Sequence, residues 1–207
     1  ATELAAADDR VSGGVVLLGG TAVPGHAVLT DQAVRMLEAS GVTDRSEAVR
    51  TAHSALMRAL GEAATEEEAI DLTVELIDAQ TGGALPEAFA RAQAEQAVTQ
   101  FDDPWFVRFL SHDPSVSAGS MGVAGLAVFG GLDQQVSDEL NVSPMADALR
   151  RSGHPLSRVV VLPGHNHLFQ VAETGAFAEY ATLDDLDPGV AHLIADWMDS
   201  VVSARDE

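Results

Sequence analysis

An aspartate and two histidines follow short apolar runs in the second half of the sequence. Asp133 comes after the run at residues 125–129, and His165 and His167 come after the run at 158–162. Such runs, closed by glycine or proline turns, are typical of buried strands. Because the carboxyl ends of parallel strands lie at one edge of a sheet, we expect Asp133 and His167 to be neighbours there. An aspartate so placed orients an imidazole, which can take a proton from a nucleophile and return it to a leaving group.

The sequence offers no convincing nucleophile for this pair. It contains no cysteine, which excludes a thiolate nucleophile, disulfides and thiolate metal sites. The stretch Ala118-Gly119-Ser120-Met121-Gly122 imitates a nucleophile elbow, in which a serine stands on a sharp turn between a strand and a helix. Here a polar loop is predicted over residues 115–122 and a strand after it. We therefore interpret Ser120 as part of a loop between strands.

Two other interpretations of the same residues remain open. His165 and His167, with one residue between them, have a spacing that can hold zinc, with Asp133 as a third ligand. Zinc normally takes three or four protein ligands, however, and this histidine pair lies in a turn. In the other interpretation Asp133 closes a Gly-Gly-Leu-Asp turn, and His167 is a polar turn residue. Asp138 and Glu139 are nearby substitutes for the acid, but their acidic stretch is typical of a surface.

The elements that must position these residues alternate between strand and helix. From residue 123 onward the predicted order is strand, helix, strand, helix, which favours a parallel sheet with crossover helices and therefore an α/β fold. The helices are predicted at residues 144–151 and 188–202. The apolar side chains of the second helix are predicted to share one face: Val190, Leu193, Ile194, Trp197, Met198 and Val201. The strands are predicted at residues 14–18, 125–129 and 158–162.

Residues 27–100 are predicted to form a helical layer inserted into the α/β domain. Thr43-Asp44 offers a cap for a helix that extends to Leu60. Thr65-Glu66-Glu67-Glu68 is a capping box, and Leu85-Pro86 places proline in the first turn of another helix. We therefore predict a single domain over residues 1–207 with a helical insertion at 27–100.

Composition limits the classes of partner. The chain has 207 residues, enough for one sizeable domain, and no apolar run approaches the ~20 residues that span a bilayer. Its formal net charge is −21 and all 11 basic residues are arginine, so nucleic acid and anionic membranes are not expected as partners. We expect a soluble protein. The sequence leaves its compartment open, with the cytoplasm favoured.

Five stretches share their pattern with one enzyme family: VVLLGGTAVPG at residues 15–25, PWFVRFLSHDP at 104–114, GLDQQV at 131–136, LPGHNHLFQ at 162–170 and IADWM at 194–198. Together they resemble the α/β-hydrolase esterases related to dienelactone hydrolases and acyl-peptide hydrolases. The resemblance implies that Asp133 is the acid and His167 the base of a Ser–acid–His triad. It implies a small-molecule ester as substrate and acyl transfer to the serine, with no cofactor and no metal. It assigns no role to His165.

The resemblance also implies parts of the family fold that residues 1–207 do not contain. The Gly-x-Ser-x-Gly elbow is expected before Ala1, with residues 1–8 as the remainder of the helix that follows it. The oxyanion hole is expected in the same missing region. The expected fold is thus the C-terminal half of an α/β-hydrolase, with about three parallel strands. We expect it to need a complementary N-terminal segment or a partner chain, with a homo-oligomer as one option.

Trp105, Phe106 and Phe109 form an aromatic cluster with two interpretations. They line an acyl pocket beneath the helical layer and bind substrate, or they pin that layer to the sheet. The function as a whole also has an alternative. In that alternative the chain is a non-catalytic α/β module, a truncated or decayed hydrolase that binds a small molecule or a partner.

Overall fold

Three short apolar runs form a parallel sheet in the computed structural model, which describes residues 1–101 and 103–205. The strands are β1 (Val15–Leu18), β2 (Gly125–Gly130) and β3 (Arg158–Leu162), in the spatial order β1-β2-β3. β2 pairs in parallel with both neighbours, and all six of its residues are buried, as expected of a central strand covered on both faces. The predicted strands, their parallel arrangement and the α/β class are confirmed.

The chain divides into two compact units. The α/β unit comprises residues 1–23 and the described residues from 113 onward, and the helical unit is Pro24–His112. The helices, in chain order, are α1 (Thr2–Ala7), α2 (Gly25–Ala39), α3 (Ser46–Gly61), α4 (Glu66–Thr81), α5 (Glu87–Val98), α6 (Pro104–Ser111), α7 (Pro114–Ala118), α8 (Asp138–Ser152) and α9 (Pro188–Ser203), with a 3₁₀ turn at Phe177–Glu179. Within the described residues, no helix has the length and apolarity needed to cross a membrane.

Helices α8 and α9 cover the sheet of the α/β unit. Trp197 of α9 is buried in one cluster with Leu126 and Val128 of β2, and its indole N–H donates to the carbonyl of Leu156 at 2.9 Å. Truncating a ring buried in this way costs about 3–5 kcal/mol. Residues of α8 pack on β2 as well, since a Cβ at Gly125 would meet the side chain of Leu149.

The buried stripe of α9 is narrower than its sequence predicts. Met198 was predicted to share the buried face, but its side chain is 51% exposed. The stripe runs through Val190, Trp197 and Val201, which are spaced at helical intervals, whereas Met198 lies one residue beyond it. The prediction for Met198 is therefore wrong.

The helical unit is built from α2–α6, whose apolar faces enclose their own core. The largest buried side chains of this core are Val34, Val49, Leu56, Met57, Leu60, Ile70, Leu76, Val98 and Leu110. The predicted cap of α4 is confirmed, because the Thr65 hydroxyl accepts from the backbone N–H of Glu68 at 3.3 Å. Pro86 stands at the N-cap of α5, one position before the first turn predicted for it.

Two local predictions are wrong. Thr43-Asp44 does not cap α3, which begins at Ser46 after Arg45 without a side-chain cap. The carboxylate of Asp44 lies 3.5 Å from the guanidinium of Arg45 instead. The loop predicted at 115–122 contains most of α7, because the Asp113 carboxylate accepts from the N–H of Ser115 and so caps the start of a helix.

Candidate active site

Asp133 is fixed at the end of β2 by its own turn. Its Oδ1 accepts backbone N–H groups from Gln135 at 2.8 Å and Val136 at 2.9 Å. The turn is also tied to the next strand end, because the N–H of Leu132 donates to the carbonyl of His165 at 2.9 Å. The Asp133 side chain has no exposed surface. One carboxylate oxygen is therefore fully used by the backbone, and Oδ2 remains for another partner.

His167 is carried by a tight turn after β3 whose centre is Asn166. Asn166 has no exposed surface, and its Oδ1 accepts from the N–H groups of Leu168 and Gln170 at 3.0 Å each. Its Nδ2 donates to Oε1 of Gln170 at 2.8 Å. Phe169 in the same turn has a φ of +56°, which is unfavourable for a bulky residue unless its surroundings hold it there. The buried amide of Asn166 thus holds the backbone around His167 in one conformation.

The two strand ends bring Asp133 and His167 into contact. Nδ1 of His167 lies 2.8 Å from Oδ2 of Asp133. The side chain of His167 is 28% exposed, while that of Asp133 is fully buried. Within the part of the chain that the structure describes, Nε2 of His167 has no hydrogen-bond partner. Asp133 and His167 are therefore neighbours, as expected for residues that follow adjacent strand ends.

The loop after β1 reaches the same place. Gly19 has a φ of +55°, in the left-handed region, and a Cβ there would lie 3.2 Å from Cε1 of His167 and 3.6 Å from Oδ2 of Asp133. An L-residue at this position is strained and would crowd the ring. All three strand ends therefore contribute to the site, with glycine where the backbone passes closest to the imidazole.

His165 forms a hydrogen bond with a different carboxylate, that of Asp187. Its Nε2 lies 3.0 Å from Oδ2 of Asp187, and its Nδ1 lies 3.2 Å from the carbonyl oxygen of Pro163. Asp187 also caps α9, since its Oδ1 accepts from the N–H of Gly189 at 2.9 Å. The Gly189 N–H, together with the His165 ring, lowers the pKa of Asp187. His165 thus ties the turn that carries His167 to the start of α9.

The other residues considered from the sequence do not join the pair. Among residues 1–101 and 103–205, no three histidine or acidic side chains are grouped so that they could hold a metal ion. Ser120 follows α7 and precedes β2, the reverse of an elbow, and its hydroxyl donates to the carbonyl of Val116. Asp138 and Glu139 lie in the first turn of α8, where the Asp138 carboxylate accepts from the N–H of Glu139.

The three aromatic residues lie in the helical unit, on or beside its core. Trp105 is 67% exposed and stacks on Phe109, with ring centroids 5.5 Å apart. Phe106 stacks on Phe101 at 5.9 Å and lines a cavity among the helices. Phe106 and Phe109 also pack against the buried core of this unit.

Sequence reasoning missed the residues that hold the pair in place. Gly19, Asn166, Gln170 and Asp187 each fix the position of a histidine or its turn. Two features of the sequence could have indicated these residues. A pair of glycines directly follows β1, and an asparagine, which favours turns through its side-chain amide, stands between the histidines.

No protein-family model, no curated protein and no solved structure matches this chain. The functional conclusion therefore depends on the geometry around Asp133 and His167.

Proposed function

We propose that the α/β unit supplies the acid and the general base of a hydrolase that acts on carboxylic esters. The observation that carries the proposal is the 2.8 Å hydrogen bond between Asp133 and His167 at the adjoining ends of β2 and β3. A buried carboxylate on Nδ1 and an unpartnered, partly exposed Nε2 are what a general-base histidine needs. The resemblance of the motifs to α/β-hydrolase esterases supports esters as substrates and serine as nucleophile.

Asp133 orients the imidazole in this proposal and does not itself take the proton. Its Oδ1 accepts two backbone N–H groups, which leaves Oδ2 to accept from Nδ1 of His167. That bond keeps the neutral ring protonated on Nδ1 and presents Nε2 as the acceptor. When Nε2 gains a proton, the buried carboxylate stabilises the positive charge on the ring.

In each half of the reaction, His167 first takes up a proton and then passes that proton on. Nε2 takes the proton of the serine hydroxyl while the serine oxygen attacks the ester carbonyl carbon. The proton then passes to the leaving alkoxide oxygen as its bond to the carbonyl carbon breaks, and an alcohol departs. In the second half Nε2 takes a proton from water, whose oxygen attacks the acyl carbon. Nε2 returns that proton to the serine oxygen as the bond between this oxygen and the acyl carbon breaks, and a carboxylic acid is released.

We further propose that the serine lies on polypeptide outside residues 1–207, at the outer edge of β1. Among the described residues β1 pairs only with β2, which leaves one row of its backbone N–H and C=O groups without a strand partner. A parallel strand added at this edge would end beside Gly19, close to the His167 ring. The strand would come from a preceding segment or from a partner chain.

A fluorophosphonate probe, which reacts with activated serine hydroxyls, tests the proposal on the protein from its native source. The expected result is covalent labelling, with the labelled serine identified by peptide mass spectrometry. His167→Gln in the same full-length protein should slow labelling by at least about 100-fold, since general-base catalysis contributes roughly 10²–10⁴-fold. His192→Gln is the matched control, because His192 is exposed on α9, and it should label at the parent rate. An unlabelled native protein would overturn the hydrolase proposal.

A non-catalytic binding module is the second candidate. One observation favours it: in the described part of the chain no hydroxyl donates to Nε2 of His167. In that case the Asp133–His167 bond only ties two strand ends together. Asp133→Asn would then lower the stability of the α/β unit, and the native protein would give no serine labelling.

A further inference from the structure

The helical unit contains a cavity of about 650 Å³, a size within the ~300–1,000 Å³ typical of small-molecule sites. All of its lining residues belong to the helical unit, whereas Asp133 and His167 belong to the α/β unit. Helices α2–α6 all contribute to its wall. Most of the wall is apolar: Leu29, Met36, Leu56, Ile77, Phe101 and Phe106.

The polar groups of this wall are uncharged. Among the described residues that line the cavity, none is acidic and none is arginine. Gln80 and Gln93 are exposed side chains, so they mark the side on which the cavity meets solvent. Thr73 is buried, and its hydroxyl already donates to the carbonyl of Ala69 in its own helix. Gln32 is half-buried, and the remaining polar group of the wall is the half-buried imidazole of His53.

The hydrogen bonds around His53 define which ring nitrogen is available. The hydroxyl of Thr30 donates to the carbonyl of His26 at 2.8 Å, so its oxygen can only accept at the 3.0 Å contact with Nδ1 of His53. Nδ1 therefore carries the proton, and Nε2 is an acceptor without a partner among the described residues. Burial lowers the pKa of His53, which keeps the ring neutral at neutral pH.

We propose that this cavity binds an uncharged, largely apolar small molecule with one hydroxyl, which donates its hydrogen to Nε2 of His53. An ionised carboxylate has no proton to give to Nε2, and the uncharged wall offers it no partner. The chain's net charge of −21 also repels anions. Met36 and Met57 in the wall are flexible side chains that adapt to an irregular apolar ligand.

This inference does not depend on the proposed hydrolase activity, because the site is built entirely from the helical unit. A chain without any activated serine would still bind such a ligand. Conversely, an active hydrolase could lack this site.

Calorimetric titration of the full chain with 1-naphthol and with 1-methylnaphthalene tests the proposal. The two probes differ only in a hydroxyl against a methyl group of similar size. We expect both to bind at a single site. His53→Phe should reduce the ratio of their affinities, naphthol over methylnaphthalene, by roughly three- to tenfold, as expected for one neutral hydrogen bond.

Two control variants locate the site. Ala97→Phe places a ring inside the cavity and should abolish binding of both probes. His192→Phe makes the same change as the test variant at an exposed position on α9 and should leave both affinities unchanged. Undiminished binding by Ala97→Phe, or no saturable binding by the parent chain, would overturn the proposal.

A measurement on the unaltered protein covers the case in which His53→Phe fails to fold. The ¹⁵N signal of Nε2 in His53 should shift when 1-naphthol is added and should respond much less to 1-methylnaphthalene. Equal responses to the two probes, or none to 1-naphthol, would show that His53 is not the acceptor.

Discussion

Replacing Asn166 by alanine should destabilise the turn that carries His167. The amide of Asn166 makes three hydrogen bonds: it accepts a part-buried bond from the N–H of Leu168, accepts a buried one from the N–H of Gln170 and donates a buried one to Oε1 of Gln170. Alanine leaves two donors and one acceptor without partners, and each such buried group costs about 1–3 kcal/mol. Because water entering the turn offsets part of this, we expect a loss of about 3 kcal/mol in the free energy of unfolding of the α/β unit.

Urea unfolding followed by tryptophan fluorescence measures this loss. Trp197 is buried in the α/β unit, and the only other tryptophan, Trp105, is removed by Trp105→Phe in every variant. The matched control is Asn141→Ala, at an equally buried asparagine. Oδ1 of Asn141 accepts the backbone N–H of Ala22, and its Nδ2 donates to the carbonyl of Ser137. Because that carbonyl also accepts the backbone N–H of Asn141, alanine leaves only the Ala22 N–H without a partner and should cost about 1–2 kcal/mol.

The effect on the site separates the two asparagine variants further. Asn166→Ala should shift the ¹H and ¹⁵N signals of the His167 ring, since the turn no longer holds Nδ1 against Asp133. Asn141→Ala should leave those signals where they are. A loss below about 1 kcal/mol for Asn166→Ala, or an unchanged His167 signal, would refute the role given to the buried amide.

Three further predictions concern other parts of the molecule. Gly19→Ala places a Cβ 3.2 Å from Cε1 of His167 at a φ of +55°, so it should cost about 1–2 kcal/mol in urea unfolding and shift the His167 ring signals; an unperturbed ring would contradict the close approach. The N–H of Gly189 and the His165 ring lower the pKa of Asp187, so its stabilisation is present above the ordinary pKa of an aspartate and is lost as the pH falls through the lowered pKa. Asp187→Asn should therefore be less stable than the parent at neutral pH, and the difference should shrink on acidification; a constant difference would exclude the linkage. Thr65→Ala removes the cap of α4 and should cost about 1 kcal/mol, seen as faster amide exchange in its first turn; unchanged exchange would mean that the cap contributes nothing.

The strands and the contact between Asp133 and His167 could be predicted because both follow from local pattern and one general rule. A buried parallel strand is a short apolar run, and its carboxyl end is identified by the turn that follows it. Once three such runs are assigned to one sheet, the residues after them must converge. No knowledge of the helical unit is needed for this step.

The supports of the site could not be predicted in the same way, because they join residues through loops rather than through a repeating pattern. His165 bonds to Asp187, which lies 22 residues further along the chain. Asn166 holds its turn only because the turn brings its amide against the side chain of Gln170. Helix α7 was missed for a related reason. Asp113-Pro114 is compatible with either the end or the start of a helix, and only its bond to the N–H of Ser115 decides between them.

The bond between Asp133 and His167 also depends on how the strands are aligned. The register that pairs Phe129 with Val161 sets where the two turns meet. A slip of one residue would displace one strand end by about 3.3 Å, more than the 2.8 Å bond can tolerate. A refolding chain therefore gains the hydrogen bond between Asp133 and His167 only after this non-local pairing is complete. The ring signal of His167 therefore reports when the sheet has assembled, and chains with native helices but misaligned strands lack the Asp133–His167 hydrogen bond.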